Sequence, residues 1–155
     1  MKCALTGHRA LGINFDRTIL EEELKKLIKS GADTFYCGMA VGFDIIACQI
    51  LLEMKKKYKI KIVACIPCPE QDLRFNDEEK KTYRSAVSGC DEQVMISMTY
   101  TGDCMKKRNY YMVENADFVY AYYNNNRRSG TYQTMSYAKK LGKKVYLYGG
   151  GEWNG

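Results

Sequence analysis

The chain has 155 residues, 46% hydrophobic and 27% charged, which excludes a disordered or fibrous polymer and leaves room for one core but not an ordinary two-domain enzyme. Lys and Arg total 24 against 18 Asp and Glu, a net charge of +6 that suits a phosphate-bearing partner. Much of that excess sits in Lys55-Lys56-Lys57-Tyr58-Lys59-Ile60-Lys61, which reads as a solvated helix end, so nucleic-acid binding is permitted rather than indicated.

Seven Cys in a chain of this length do not call for a disulfide scaffold, and no apolar run approaches the ~18 residues of a membrane span. The expectation is a cytoplasmic, reducing setting without membrane association, with Cys3, Cys37, Cys48 and Cys65 as buried thiols. One domain over residues 1–155 is expected, and a homo-oligomer is compatible with it.

Short apolar runs alternate with amphipathic segments along the whole chain. Residues 2–6 read as a strand, and residues 18–29 as a helix carrying Ile19, Leu24, Leu27 and Ile28 at helical spacing. A strand over 34–37, a helix over 42–58 and a strongly apolar strand over 60–66 follow, the last ending at Pro67 and Pro69. A helix of about ten residues ending near Gly89, a strand over 93–98, a helix over 106–114 and a strand over 118–122 come next. Gly130 opens the last helix, Gly142 closes it, and residues 144–148 form a sixth strand. Strands without strict polar alternation, separated by helices, predict an α/β fold: a Rossmann-like three-layer sandwich with a mainly parallel sheet covered by helices on both faces.

In such a sheet ligands bind beyond the carboxyl ends of the strands, and the residues there have the right chemistry. Thr6-Gly7-His8-Arg9 leaves the first strand, with glycine for a tight turn and Arg9 as a fork of donors for phosphate or carboxylate. His8 is the only histidine, so histidine-rich metal sites are excluded, and local hydrogen bonding is its plainer role. Gly38-Met39-Ala40-Val41-Gly42-Phe43-Asp44 follows the second strand. Its two glycines fit a backbone cradle at a helix start, and Asp44 suits either sugar hydroxyls or the positive end of the helix. The segment matches neither the GxGxxG dinucleotide pattern nor the phosphate loop, which argues against NAD enzymes and P-loop hydrolases.

Cys65-Ile66-Pro67-Cys68 has no second pair at metal-ligand spacing, so no metal site and no cofactor is expected. Gln71 is polar enough to line a pocket nearby. Lys106-Lys107-Arg108-Asn109 places basic groups against a helix amino terminus, which makes more sense beside a bound anion. Ser129, Gly130 and Thr131 offer N–H and O–H donors at a helix start, with Arg127 or Arg128 to cover charge, although a plain N-cap uses the same residues. Tyr110, Tyr111, Tyr120, Tyr122 and Tyr123 cluster in sequence, where they suit base stacking or, for Tyr120 and Tyr122, a shared covering helix.

Taken together, Thr6-Gly7-His8-Arg9, Gly38-Met39-Ala40-x-Gly42-x-Asp44, Ile66-Pro67 with Gln71, Arg108-Asn109-x-x-Met112-Val113-x-x-Ala116-Asp117 and Gly130-Thr131 resemble the YpsA-like proteins. This is a bacterial and phage-associated family of the SLOG group, distantly related to LOG phosphoribohydrolases and DprA. The resemblance implies a Rossmann-like domain that binds or senses a nucleotide or nucleotide-derived small molecule. Gly7 and Arg9 would then contact the ligand, Gly38 and Gly42 would permit its approach, and Asp44 would hold the sugar. Arg108 resembles the arginine of the phosphoribohydrolase Arg-Lys-x-x-Met motif, here followed by Asn109. The phosphoribohydrolases carry a glutamate where this chain has Thr134, so hydrolysis of a glycosidic bond, with Asp44 and Arg108 as its catalytic residues, stands as an alternative, as does a nucleic-acid or protein interaction module.

Overall fold

The computed structural model describes residues 1–155. Its elements run β1 (Lys2–Gly7), α1 (Arg17–Lys29), β2 (Thr34–Cys37), α2 (Phe43–Met54), β3 (Lys61–Ile66), α3 (Asp77–Gly89), β4 (Glu92–Met95), α4 (Cys104–Asn115), β5 (Phe118–Tyr122), α5 (Gly130–Lys140) and β6 (Lys144–Leu147). The sheet has six strands in the order β4-β3-β2-β1-β5-β6, and every neighbouring pair is parallel. A chain that winds outward from β1 to β4 and then crosses to the far side of β1 creates a switch point between β1 and β5, where loops from both halves diverge and leave a crevice.

Apolar residues on alternate sides of the strands build two cores. One packs α1, α2 and α3 on Cys3, Leu5, Phe35, Cys37, Ile62 and Ala64. The other packs α4 and α5 on Ala4, Tyr36, Val63, Cys65, Val119 and Ala121. The result is the expected three-layer sandwich, and no helix is long and apolar enough to cross a membrane.

Most boundaries lie within a residue or so of the sequence expectation, and the differences that bear on the site fall at three places. Helix α2 stops at Met54, and residues 55–57 turn toward β3. Strand β4 ends at Met95, although Ile96 and Ser97 still donate to the carbonyls of Ile66 and Pro67 at 2.9 and 3.0 Å. Helix α4 starts at Cys104, two residues early, because Thr101-Gly102-Asp103 forms the turn before it; Asp103 accepts from Thr101 Oγ1 at 2.9 Å and pairs with Lys107 at 3.5 Å.

One glycine locks the site's frame. Gly42, just before α2, has φ +97°, and a Cβ there would lie 2.7 Å from the Arg9 carbonyl carbon and Cα. Gly42→Ala is therefore expected to destabilise the fold by about 2–3 kcal/mol, combining a positive-φ penalty with a backbone clash. Urea unfolding checks this; a loss below about 0.5 kcal/mol, the size of an ordinary surface change, contradicts it.

Candidate functional site at the strand ends

The exit of β1 ties the two halves of the sheet together. Gly7 has no side chain because the Phe43 ring fills that space, and a Cβ would fall 2.7 Å from the Phe43 Cβ. Phe43 in turn stacks on Tyr120 and Tyr122 at centroid distances of 6.4 and 6.0 Å, so the period-2 tyrosines of β5 do face one covering helix. The Phe43 amide donates to the His8 carbonyl at 3.1 Å.

The His8 ring faces the other way. Its Nε2 accepts from the Asn124 amide at 2.9 Å, so the proton sits on Nδ1, which faces Thr131 Oγ1 at 3.4 Å. Burial lowers the pKa of His8, which favours this neutral form. His8 thus links the β1 loop to the loop after β5. Asn124, its partner, carries no sequence signal beyond its place in the Asn124-Asn125-Asn126 run. Arg9 is exposed and enters no ion pair.

The second cluster forms around Gly38, at the end of β2. The Gly38 carbonyl accepts from Arg108 Nη1 and from Gln71 Nε2, the latter at 2.9 Å. A Cβ on Gly38 would come within 2.9 Å of Arg108 Cζ and Asp44 Oδ2, so the space freed by this glycine is taken by protein atoms. Arg108 lies in the second turn of α4, on the buried face between Cys104 and Met112, and is 5% exposed. Its Nε donates to Asn109 Oδ1 at 2.7 Å and its Nη1 also reaches the Cys65 carbonyl at 3.4 Å, whereas Nη2 has no protein acceptor.

Asp44 sits in the first turn of α2 and is 8% exposed. Its Oδ2 accepts from the Ala40 amide at 3.3 Å, and no nitrogen of Arg108 comes within ion-pair distance. Burial pushes its pKa up to about 6, against the opposing pull of the Arg108 charge and the Ala40 amide. Two fully buried oxygens here have no partner: Asp44 Oδ1 and Gln71 Oε1. Buried acceptors without a protein donor are costly and rare, and each calls for a donor from outside the chain, a bound water or a ligand group.

The exit of β5 supplies the third part. Asn126 caps the turn before α5, accepting from Arg128 N at 3.0 Å, and Ser129 Oγ accepts from the Tyr132 amide at 3.1 Å. The amides of Gly130 and Thr131 have no acceptor, so the positive end of α5 is open beside exposed Arg127 and Arg128. Thr134 is buried and its hydroxyl donates back to the Gly130 carbonyl at 2.8 Å. It therefore offers no substitute for a catalytic carboxylate.

The fold gathers Gly7, Arg9, Gly42, Ser129, Gly130 and Thr131 at the exits of β1 and β5, with Thr6 buried in β1 just before them, and Gly38, Asp44, Gln71, Arg108 and Asn109 in the cluster at the ends of β2 and β3. The Cys65 and Cys68 thiols are pushed up to about 12 and about 11 by burial, so the C-x-x-C pair is protonated and unsuited to attack. The rim thus presents cations and free N–H groups, and the interior presents unpartnered acceptors. A ligand with an anionic end and a hydroxyl-bearing or amine-bearing end meets both demands.

Comparison with known proteins agrees with this architecture. A YpsA family model, described as the YspA SLOG family, matches residues 4–148. The uncharacterized SPbeta prophage-derived protein YoqJ of Bacillus subtilis is 30% identical over 140 residues, covering 81% of this chain and 80% of that protein. UPF0398 protein BH1768 of Halalkalibacterium halodurans is 21% identical over 137 residues, covering 86% of this chain and 72% of that protein. Among solved structures, DNA processing protein A from Helicobacter pylori superposes with a TM-score of 0.69 at 21% identity over 95% of this chain, and DprA from Streptococcus pneumoniae with 0.70 at 19% identity over 94%. The chain spans 64% and 49% of those two proteins, and the likeness is one of fold. With a family model spanning nearly its whole length, the chain belongs to the YspA SLOG family.

Proposed function

We propose that the chain binds a nucleotide or nucleotide-derived molecule at the strand ends, as a binding or sensing domain rather than a hydrolase. The observation that carries this reading is the pair of buried, unpartnered oxygens, Asp44 Oδ1 and Gln71 Oε1, beside a guanidinium with one donor nitrogen unused. A sugar diol supplies donors to the oxygens, and a phosphate answers Arg9 and the open amides of Gly130 and Thr131. Turnover has less support, because Thr134 is occupied within its own helix and Asp44 is the only carboxylate in the cluster. N-glycosidic cleavage needs a carboxylate beside the developing oxocarbenium ion and a positioned water.

Native mass spectrometry after incubation with a panel of nucleoside monophosphates, cyclic nucleotides and ADP-ribose-like compounds tests the reading. An intact ligand retained by the wild type and lost in Arg9→Ala is the expected result. Release of free base from any member replaces the binding reading with the hydrolase, and failure to retain any member of the panel overturns it.

A further inference from the structure

The geometry points to a second subsite, an open groove along α5 that receives a phosphodiester-linked second nucleotide of the ligand. This inference rests on the strand-end reading, because Ser129 and Gly130 line both places and make the groove continuous with the site. The groove has a volume of about 540 Å3 and is bounded by Tyr110, Arg127, Arg128, Tyr132, Gln133 and Lys140, among other residues. No acid lines it, and Arg127, Arg128 and Lys140 enter no ion pair. Three cations left unpaired along one groove are the electrostatic counterpart of successive phosphates.

The tyrosines provide the complementary apolar walls. Tyr110 stacks on Tyr137 with centroids 3.9 Å apart and planes 10° apart, and Lys106 Nζ lies 5.4 Å from the Tyr110 ring. The Tyr137 hydroxyl donates to Glu114 at 2.5 Å, which occupies the nearby acid and fixes the pair. Tyr132 is held against Tyr123 and Trp153. Gly130, where the groove meets the site, needs its missing side chain for no contact within the protein: a Cβ there would meet nothing within 4 Å, and its φ is not positive. An open amide face between two anion-binding regions accounts for glycine there. A lone nucleoside monophosphate would leave the groove empty, whereas an extended ligand places its second phosphate against the arginines and its second base against the tyrosine walls.

The test is calorimetric titration with each 5′-mononucleotide, the matching 5′-phosphorylated dinucleotide and a short single-stranded oligonucleotide, using the wild type and Gln133→Glu. Glu at this first-turn position suits the helix dipole, so the variant folds, yet it sets a negative charge within the groove. The dinucleotide is expected to bind about tenfold tighter than the mononucleotide, near the low end for one stacked base, and Gln133→Glu should remove that advantage while leaving mononucleotide affinity within about twofold. An oligonucleotide binding tighter still identifies the source as a nucleic-acid strand, and equal affinity identifies a free dinucleotide. Equal binding of mono- and dinucleotide, or an equal loss of both in Gln133→Glu, overturns the groove and leaves the strand-end site standing. Absence of binding by every member overturns the groove, and overturns the strand-end site as well when the cyclic nucleotides and ADP-ribose-like compounds also fail to bind.

Discussion

Asp44→Asn is expected to stabilise the chain above pH 6 by about 3 kcal/mol while abolishing ligand binding. The folded chain keeps the Asp44 proton up to about pH 6, whereas the unfolded chain releases it near its ordinary value of 3.8. Between those values the folded state holds more protons than the unfolded state, so stability falls as pH rises through the window and stays reduced above it. At about 1.4 kcal/mol for each pKa unit, the loss reaches about 3 kcal/mol. Asn has a similar shape and no charge to desolvate, so the variant lacks this slope. Melting temperatures of the two proteins should converge near pH 4 and separate above pH 6; parallel curves across that range contradict the assignment. If the ligand proposed above is what answers the unmatched oxygen, Asn cannot replace the charged acceptor there.

Arg108→Ala has the opposite sign. The guanidinium holds the Gly38 and Cys65 carbonyls and Asn109, which joins the ends of β2 and β3 to α4. Removing it empties a buried volume, leaves the Cys65 carbonyl unpaired and strips Asp44 of the charge that restrains its pKa. The expected cost is about 3–5 kcal/mol in urea unfolding, with the Asp44 titration moving above 6. Arg108→Lys should recover little of it, because a point charge cannot reach two carbonyls and an amide at once. A loss below about 1 kcal/mol, with Asp44 unmoved, would show that the arginine is not the support described here.

The fold was largely legible because the local patterns agree with one another. The apolar strands, the helical spacing of Leu24, Leu27 and Ile28, and the glycines at helix ends all point to a wound parallel sheet, and the switch point follows from the strand order. The strand-exit residues were legible by type for the same reason. Their roles were not. Gly7 and Gly42 make room for Phe43 and the Arg9 backbone, contacts that depend on how α2 docks, which no local pattern encodes. Arg108 falls one turn before Met112 on the buried face of α4, a spacing the sequence shows, but that its guanidinium ends on the Gly38 and Cys65 carbonyls depends on how α4 docks. The unpartnered oxygens of Asp44 and Gln71 were invisible for a similar reason, since a missing partner shows only after every other donor has been placed.

The central claim is that a buried carboxylate at the strand ends waits, ionised, for a nucleotide-like ligand. Its most direct test is the affinity of the retained ligand at about pH 5 and about pH 7 in the wild type and in Gln71→Glu, with Asp44→Asn as the reference that should not bind. If ionised Asp44 is required, a group titrating near 6 makes wild-type affinity rise about tenfold over that interval, and Gln71→Glu, which adds a second acid beside Asp44, should displace the rise to higher pH. An affinity that does not change with pH, or full binding by Asp44→Asn, would contradict the account.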